Sequence, residues 1–139
     1  MGEGSKKRIL AVDDMPLTLT AIRNILQKDF DIRLTKSPKT AFSILNTVDI
    51  DLILLDIEMP EISGFEFLEQ LRTNPDYAAY KTIPVIFITS HETDAIVNRM
   101  LSSGAAGYVT KPVTAGNLLE RIASVFAVSP DAEQPAGSP

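Results

Sequence analysis

Three aspartates, a threonine and a lysine stand out in this chain because each closes a short apolar run. Asp13 and Asp14 follow Arg8-Ile9-Leu10-Ala11-Val12. Asp56 follows Leu52-Ile53-Leu54-Leu55. Thr89 and Ser90 end Pro84-Val85-Ile86-Phe87-Ile88, and Thr110-Lys111-Pro112 follow Gly107-Tyr108-Val109. In an open α/β sheet, ligands bind outside the carboxyl ends of the strands. If these runs are neighbouring strands, three carboxylates, a hydroxyl and a lysine converge there. Two carboxylates about 4 Å apart repel by roughly 4 kcal/mol at an effective dielectric near 20. Three together call for a cation. Oxygen donors without thiolate or imidazole favour a hard ion, Mg²⁺ first, with Mn²⁺ or Ca²⁺ as alternatives. A lysine and a hydroxyl facing such an ion suit a phosphoryl group on its other side. A carboxylate can itself be the nucleophile that receives one.

The elements that must position these residues are legible as alternating periods. Between the strand-length runs lie segments with apolar residues at helical spacing. Pro16 to about Lys28 carries Leu19, Ile22, Ile25 and Leu26. Ser37-Pro38 reads as an N-cap followed by proline at the first helical position, ahead of Ala41, Ile44, Leu45 and Val48. Phe65, Leu68 and Leu71 mark a third helix that ends before Asn74-Pro75. Thr93 to Ser103 forms a fourth and stops at Gly104. Ala115 to Phe126 forms a fifth. Asp31-Ile32-Arg33-Leu34-Thr35 alternates polar and apolar residues and predicts a half-exposed edge strand. Its end, Thr35-Lys36-Ser37, is given no role. Five strands alternating with five helices predict a parallel sheet covered on both faces and joined by right-handed crossovers.

Composition narrows the function classes. The chain has 139 residues, 45% hydrophobic and 22% charged, which fits one globular domain. Its formal net charge of −5 makes direct nucleic-acid binding a poor expectation. It has no cysteine and a single histidine, His91, so thiolate and multi-histidine metal sites are excluded. No apolar run reaches the roughly 18–20 residues that span a bilayer, and the basic start, Met1 to Arg8, does not read as a signal peptide. No membrane association is expected, and a cytoplasmic setting is. Neither a glycine-rich dinucleotide fingerprint nor a Walker-type Gly-Lys-Ser/Thr is present. Residues 1–6 are expected to be a flexible N-terminus, 7–127 the folded domain, and 128–139, rich in Pro and Gly, a disordered tail or truncated linker.

Together these motifs resemble the receiver domain of two-component response regulators, similar to the single-domain chemotaxis regulator, from about Lys7 to Phe126. The acidic pair Asp13-Asp14, Asp56 ahead of Met59-Pro60 and Gly64, Thr89, and Tyr108 three residues before Lys111-Pro112 carry the resemblance. It implies a flavodoxin-like fold with strand order 2-1-3-4-5. It also implies that Asp56 is the phospho-acceptor, that Asp14 binds Mg²⁺ (or Mn²⁺) directly and Asp13 through water, and that the Glu58 carbonyl adds a ligand. Thr89 would hydrogen-bond the phosphoryl group, Lys111 would pair with it, Tyr108 would be a rotameric switch, and Lys111-Pro112 would be cis. The implied partners are a sensor histidine kinase or phosphotransfer protein as donor, and a downstream effector or a missing C-terminal output domain as receiver of the signal. The implied state is a monomer or a phosphorylation-dependent dimer. The domain would catalyse only its own phosphotransfer and dephosphorylation, and would signal through the face built by helix four, strand five and helix five. Ala106 and Gly107 stand where many DNA-binding members carry acidic residues, which weakens the case for their salt-bridged dimer.

Each residue also has a plain structural reading. Asp13-Asp14 could cap the following helix, Asp56 could serve turn chemistry, and Lys111 could be a solvated surface charge. His91 reads as an exposed loop residue, the Glu58 side chain is left open, and Met15, Met59 and Met100 read as packing. The rival functions are a small Mg²⁺-dependent phosphohydrolase on a similar fold and a scaffold that has lost phosphorylation. The intact acid triad and Lys111 argue against the scaffold.

Overall fold

The computed structural model describes residues 6–127. The expected tail, 128–139, lies outside them, as does the expected flexible N-terminus apart from Lys6. The elements run β1 (Arg8–Val12), α1 (Pro16–Leu26), β2 (Asp31–Thr35), α2 (Pro38–Thr47), β3 (Leu52–Asp56), α3 (Gly64–Thr73), a 3-10 helix (Pro75–Tyr80), β4 (Val85–Thr89), α4 (Asp94–Ser102), β5 (Gly107–Thr110) and α5 (Ala115–Ala127). All strand pairs are parallel, in the order β2-β1-β3-β4-β5. The sheet therefore has the expected topology, with β2 at one edge and β5 at the other.

Side chains alternate across the pleat and sort into two cores. Leu10 and Val12 of β1, Ile53 and Leu55 of β3, and Val85 and Phe87 of β4 pack with Ala41 and Leu45 of α2, Phe67, Leu68 and Leu71 of α3, and Met100 of α4. The intervening residues Ile9, Ala11, Leu52, Leu54, Ile86 and Ile88 face the other way. They meet Leu19, Ile22 and Leu26 of α1 and Leu118 and Ile122 of α5. β3 and β4 are buried along their whole length, as continuous apolar runs require of strands covered on both faces.

Helix ends follow local chemistry. The Ser37 side chain accepts from the Thr40 N–H with Pro38 in the first turn, as expected. Ser63 and Glu66 close a full capping box on α3, and Thr93 caps α4. Gly104 takes φ +91° just past α4, the left-handed conformation of a helix C-cap. α1 ends at Leu26 rather than near Lys28, because Asp29 and Phe30 N–H both return to the Leu26 carbonyl and turn the chain into β2. The 3-10 helix is an addition to the five expected helices. Asn74 accepts from the Asp76 N–H and Pro75 starts the turn.

Candidate phosphoryl-transfer site

The parallel sheet brings the ends of β1, β3, β4 and β5 together, and the expected cluster forms there. Asp13, Asp14 and Asp56 each place a carboxylate oxygen within 4.8 Å of the others. Asp13 is 1% exposed, Asp56 4% and Thr89 2%, while Asp14 is half-buried. Lys111 reaches in from the end of β5. Its Nζ lies 3.1 Å from Asp13 Oδ2 and 3.5 Å from Asp56 Oδ1. One ammonium thus serves two of the three clustered carboxylates, Asp13 and Asp56. Lys111 is not the solvated surface charge of its plain reading.

Asp13 does cap, in part: its Oδ1 accepts from the Met15 N–H at 2.8 Å, ahead of Pro16 in the first turn of α1. Its other oxygen, Oδ2, is buried and has no hydrogen bond, only the ion pair with Lys111. Asp56 Oδ1 accepts a long bond from the Glu58 N–H. Burial first, and the Asp13 charge second, push the Asp56 carboxyl up to about 7. Lys111 and the Glu58 N–H oppose the rise without cancelling it. The donor set fits a hard cation. It is all oxygen, it includes a buried oxygen without a donor, and it carries more negative charge than Lys111 balances.

Three neighbours shape the mouth. The Thr89 hydroxyl closes a turn with His91, donating to its carbonyl and accepting from its N–H. His91 is exposed, as expected, yet its Nε2 lies 3.1 Å from Glu58 Oε2. The β4–α4 loop thereby touches the β3–α3 loop across the opening. Tyr108 is half-buried against the core on the β5 side. Lys111-Pro112 is cis. Met100 is core and Met59 packs against it, but Met15 departs from the packing expected of it. It is exposed, with Sδ 3.3 Å from Lys111 Nζ.

Gly64 has a role that the sequence reading left unassigned. A Cβ there would collide with the Asp56 carbonyl oxygen and come within 2.9 Å of Ile57 Cα. The Gly64 N–H donates to the Ile57 carbonyl at 2.8 Å. The start of α3 is thus pressed onto the backbone that carries Asp56. In the loop between them Glu61 takes φ +76°, spanned by a hydrogen bond from the Ile62 N–H to the Pro60 carbonyl. This is a tight γ-turn on a residue that disfavours it.

The sequence model of the response regulator receiver domain matches residues 9–123. The chain belongs to that family. A Vibrio cholerae protein named a probable cyclic di-GMP phosphodiesterase is 38% identical over 122 residues, which are 88% of this chain and 27% of that protein. The transcriptional regulatory protein TrcR of Mycobacterium tuberculosis is 30% identical over 96% of this chain and 51% of its own length. The chain therefore spans about a quarter to a half of these two curated relatives. Among solved structures, a CheY-like receiver domain protein of Methanospirillum hungatei is 26% identical, with a TM-score of 0.75 over 94% of this chain and 98% of that one. The chemotaxis regulator CheY4 of Vibrio cholerae, 24% identical, shares the fold with a TM-score of 0.78 over 87% and 99%. Within the described residues of this receiver domain, no helix is long and apolar enough to cross a membrane.

Proposed function

We propose that this receiver domain is a phosphorylation-activated switch whose acceptor is Asp56. The observation that carries the reading is the buried Asp56 carboxylate held between Asp13 and Lys111 at the carboxyl edge of the sheet. A histidine kinase or phosphotransfer protein supplies the phosphoryl group. An Asp56 Oδ attacks phosphorus, the P–N bond breaks, and its electron pair stays on the donor imidazole, which takes up a proton. Asp14, Asp56, the Glu58 carbonyl and, through water, Asp13 would hold Mg²⁺, which would supply charge neutralisation beside the phosphoryl oxygens. Lys111 remains beside Asp56 and pairs with the charge that arrives there.

Thr89 supplies the switch. Its hydroxyl now donates within its own turn to His91. Donating to a phosphoryl oxygen instead requires that bond to break and the turn to move. Tyr108, on the neighbouring strand, then takes the space that Thr89 leaves, and the α4–β5–α5 face presents a different surface to an effector or output domain. Residues 7–127 form the switching unit, with no turnover of an external metabolite.

Incubation with Mg²⁺ and a small phosphodonor, followed by intact-mass measurement, tests this. One phosphoryl group is expected on wild type and none on Asp56→Asn. An equal adduct on that variant would move the acceptor elsewhere.

A further inference from the structure

On the face of the molecule formed by α3 and α4, a second site is built from different chemistry. A groove of about 350 Å³ runs between the two helices. Its floor is Phe65 and Leu68, and Arg72, Arg99, Ser102 and Glu69 stand around it. Arg99 lies flat against the Phe65 ring, its guanidinium carbon 4.0 Å from the centroid. Arg72 is half-buried, and its Nη1 is shielded from solvent without any hydrogen-bond acceptor. Burial weakens its hold on the proton, the sign of a cation short of compensation. Among the described residues, no carboxylate lies within ion-pair distance of either arginine.

That arrangement is unusual for a chain with a net charge of −5. The ion pairs between described residues use Arg8, Arg33, His91 and Lys111. Arg72 and Arg99 share their lack of a carboxylate with Arg23 and Arg121, but of these four only Arg72 has a buried nitrogen without an acceptor, and only Arg72 and Arg99 line one groove. A half-buried guanidinium without an acceptor carries a desolvation cost that an oxyanion beside its groove-facing side offsets. The guanidinium fork matches a carboxylate in two-point contact.

We infer that the α3–α4 groove is a docking site for an acidic segment of a partner protein, which seats a Glu or Asp carboxylate between Arg72 and Arg99. The groove is open along the helices, which suits a side chain offered from a strand or helix better than an enclosed small molecule. The net negative charge elsewhere disfavours unspecific adsorption of acidic peptides, so attachment there must be local. Glu69 at the rim opposes the ligand and keeps the site weak and reversible.

Titration of the ¹⁵N-labelled protein with a short glutamate-only peptide, read on the Arg72 and Arg99 Nε–H signals, tests the inference. Both signals should shift with the acidic peptide and stay still with its glutamine counterpart. Arg99→Gln, an exposed position, should weaken binding by about tenfold, the loss of one charge-assisted contact. Arg72→Lys should keep the fold and recover only part of the affinity, since it retains the charge without the fork. Glu69→Gln should tighten binding, a gain that misfolding cannot produce. Absence of shifts up to about 10 mM peptide, an affinity too weak to matter for docking, would overturn the site. Equal shifts from inorganic phosphate at the same concentration would overturn the protein partner in favour of a small oxyanion.

Discussion

The two ends of the sheet are both charged, and they treat charge in opposite ways. At the amino end, Arg8 Nε and Arg33 Nη2 lie 3.2 Å and 3.3 Å from one oxygen of Asp31, with side chains 37–43% exposed. The Asp51 carboxylate accepts from the Arg8 N–H at 2.8 Å. Cations and anions alternate there, and water reaches them. At the carboxyl end, Asp13 and Asp56 are sealed from solvent beside one lysine. The first arrangement is what folding alone favours, and it contributes little, since exposed pairs are worth about 0–1 kcal/mol. The second works against folding in the absence of a cation. The same backbone geometry produces both, so the difference lies in side-chain choice. It marks the carboxyl end as the place where stability is given up for chemistry.

The largest expected consequence is at Asp56. Unfolded, its carboxyl loses its proton near the ordinary value of 3.8; folded, it keeps it to about 7. Between these values the native state binds more protons than the unfolded state, so stability falls as pH rises through that window and levels off above it. The loss is on the order of 4 kcal/mol for metal-free protein. Asp56→Asn removes it. At pH 8 in EDTA the variant should melt higher than wild type by more than about 5 °C, and near pH 4 the difference should vanish. A variant less stable than wild type at pH 8 would mean that the carboxyl end is no more strained than the amino end.

Lys111→Ala comes next and has the opposite sign. It removes the cation that offsets two buried acids, at a cost of roughly 3 kcal/mol at pH 8. The cost should shrink at pH 5, where Asp56 carries a proton. Chemical denaturation at the two pH values reads this directly. A loss of equal size at both would assign Lys111 a packing role.

This contrast was legible from the sequence as far as position carries it. Apolar runs fixed β3 and β4, helical stripes fixed the covering helices, and an acid, hydroxyl or lysine after a strand could point only to the carboxyl end. Ser37-Pro38 and Gly104 announced their helix ends because capping is local chemistry. What escaped depends on contacts between distant segments. The sealing of Lys111 against Asp13, 98 residues away, needs the β1–β3–β4–β5 order to be in place. The Glu58–His91 contact needs two loops to meet. Glu61 at positive φ runs against residue preference, so no local signal announces it. The 3-10 helix could have been found, because Asn74-Pro75-Asp76 is a turn signature.

Mg²⁺ should act on one end only. A cation that binds the folded acid cluster, and not the dispersed acids, stabilises by RT ln(1 + [Mg²⁺]/Kd), about 1.4 kcal/mol at roughly tenfold Kd. Thermal melts should rise with millimolar Mg²⁺ in wild type and rise less in Asp14→Asn and Asp56→Asn. A melting point indifferent to the ion, or an equal rise in all three proteins, would separate the carboxylates into unrelated groups.

The smallest expected effect is at the amino end, and it completes the contrast. Asp31→Asn leaves Arg8 and Arg33 without their shared partner, but all three side chains reach water. The expected cost is about 0.5 kcal/mol at low salt. Exposed charges are screened over about 3 Å at 1 M salt, so most of that cost should disappear there. The Asp56→Asn gain should persist in 1 M KCl, because salt cannot enter between Asp13 and Asp56 as it does around Arg8. Urea midpoints for both variants at low and high salt put the two ends on one scale. If high salt erased both effects, the carboxyl end would be solvated after all, and the cost assigned to its burial would have no source. If it erased neither, the amino-end pair would hold by geometry rather than by charge, and the two ends would differ in degree and not in kind.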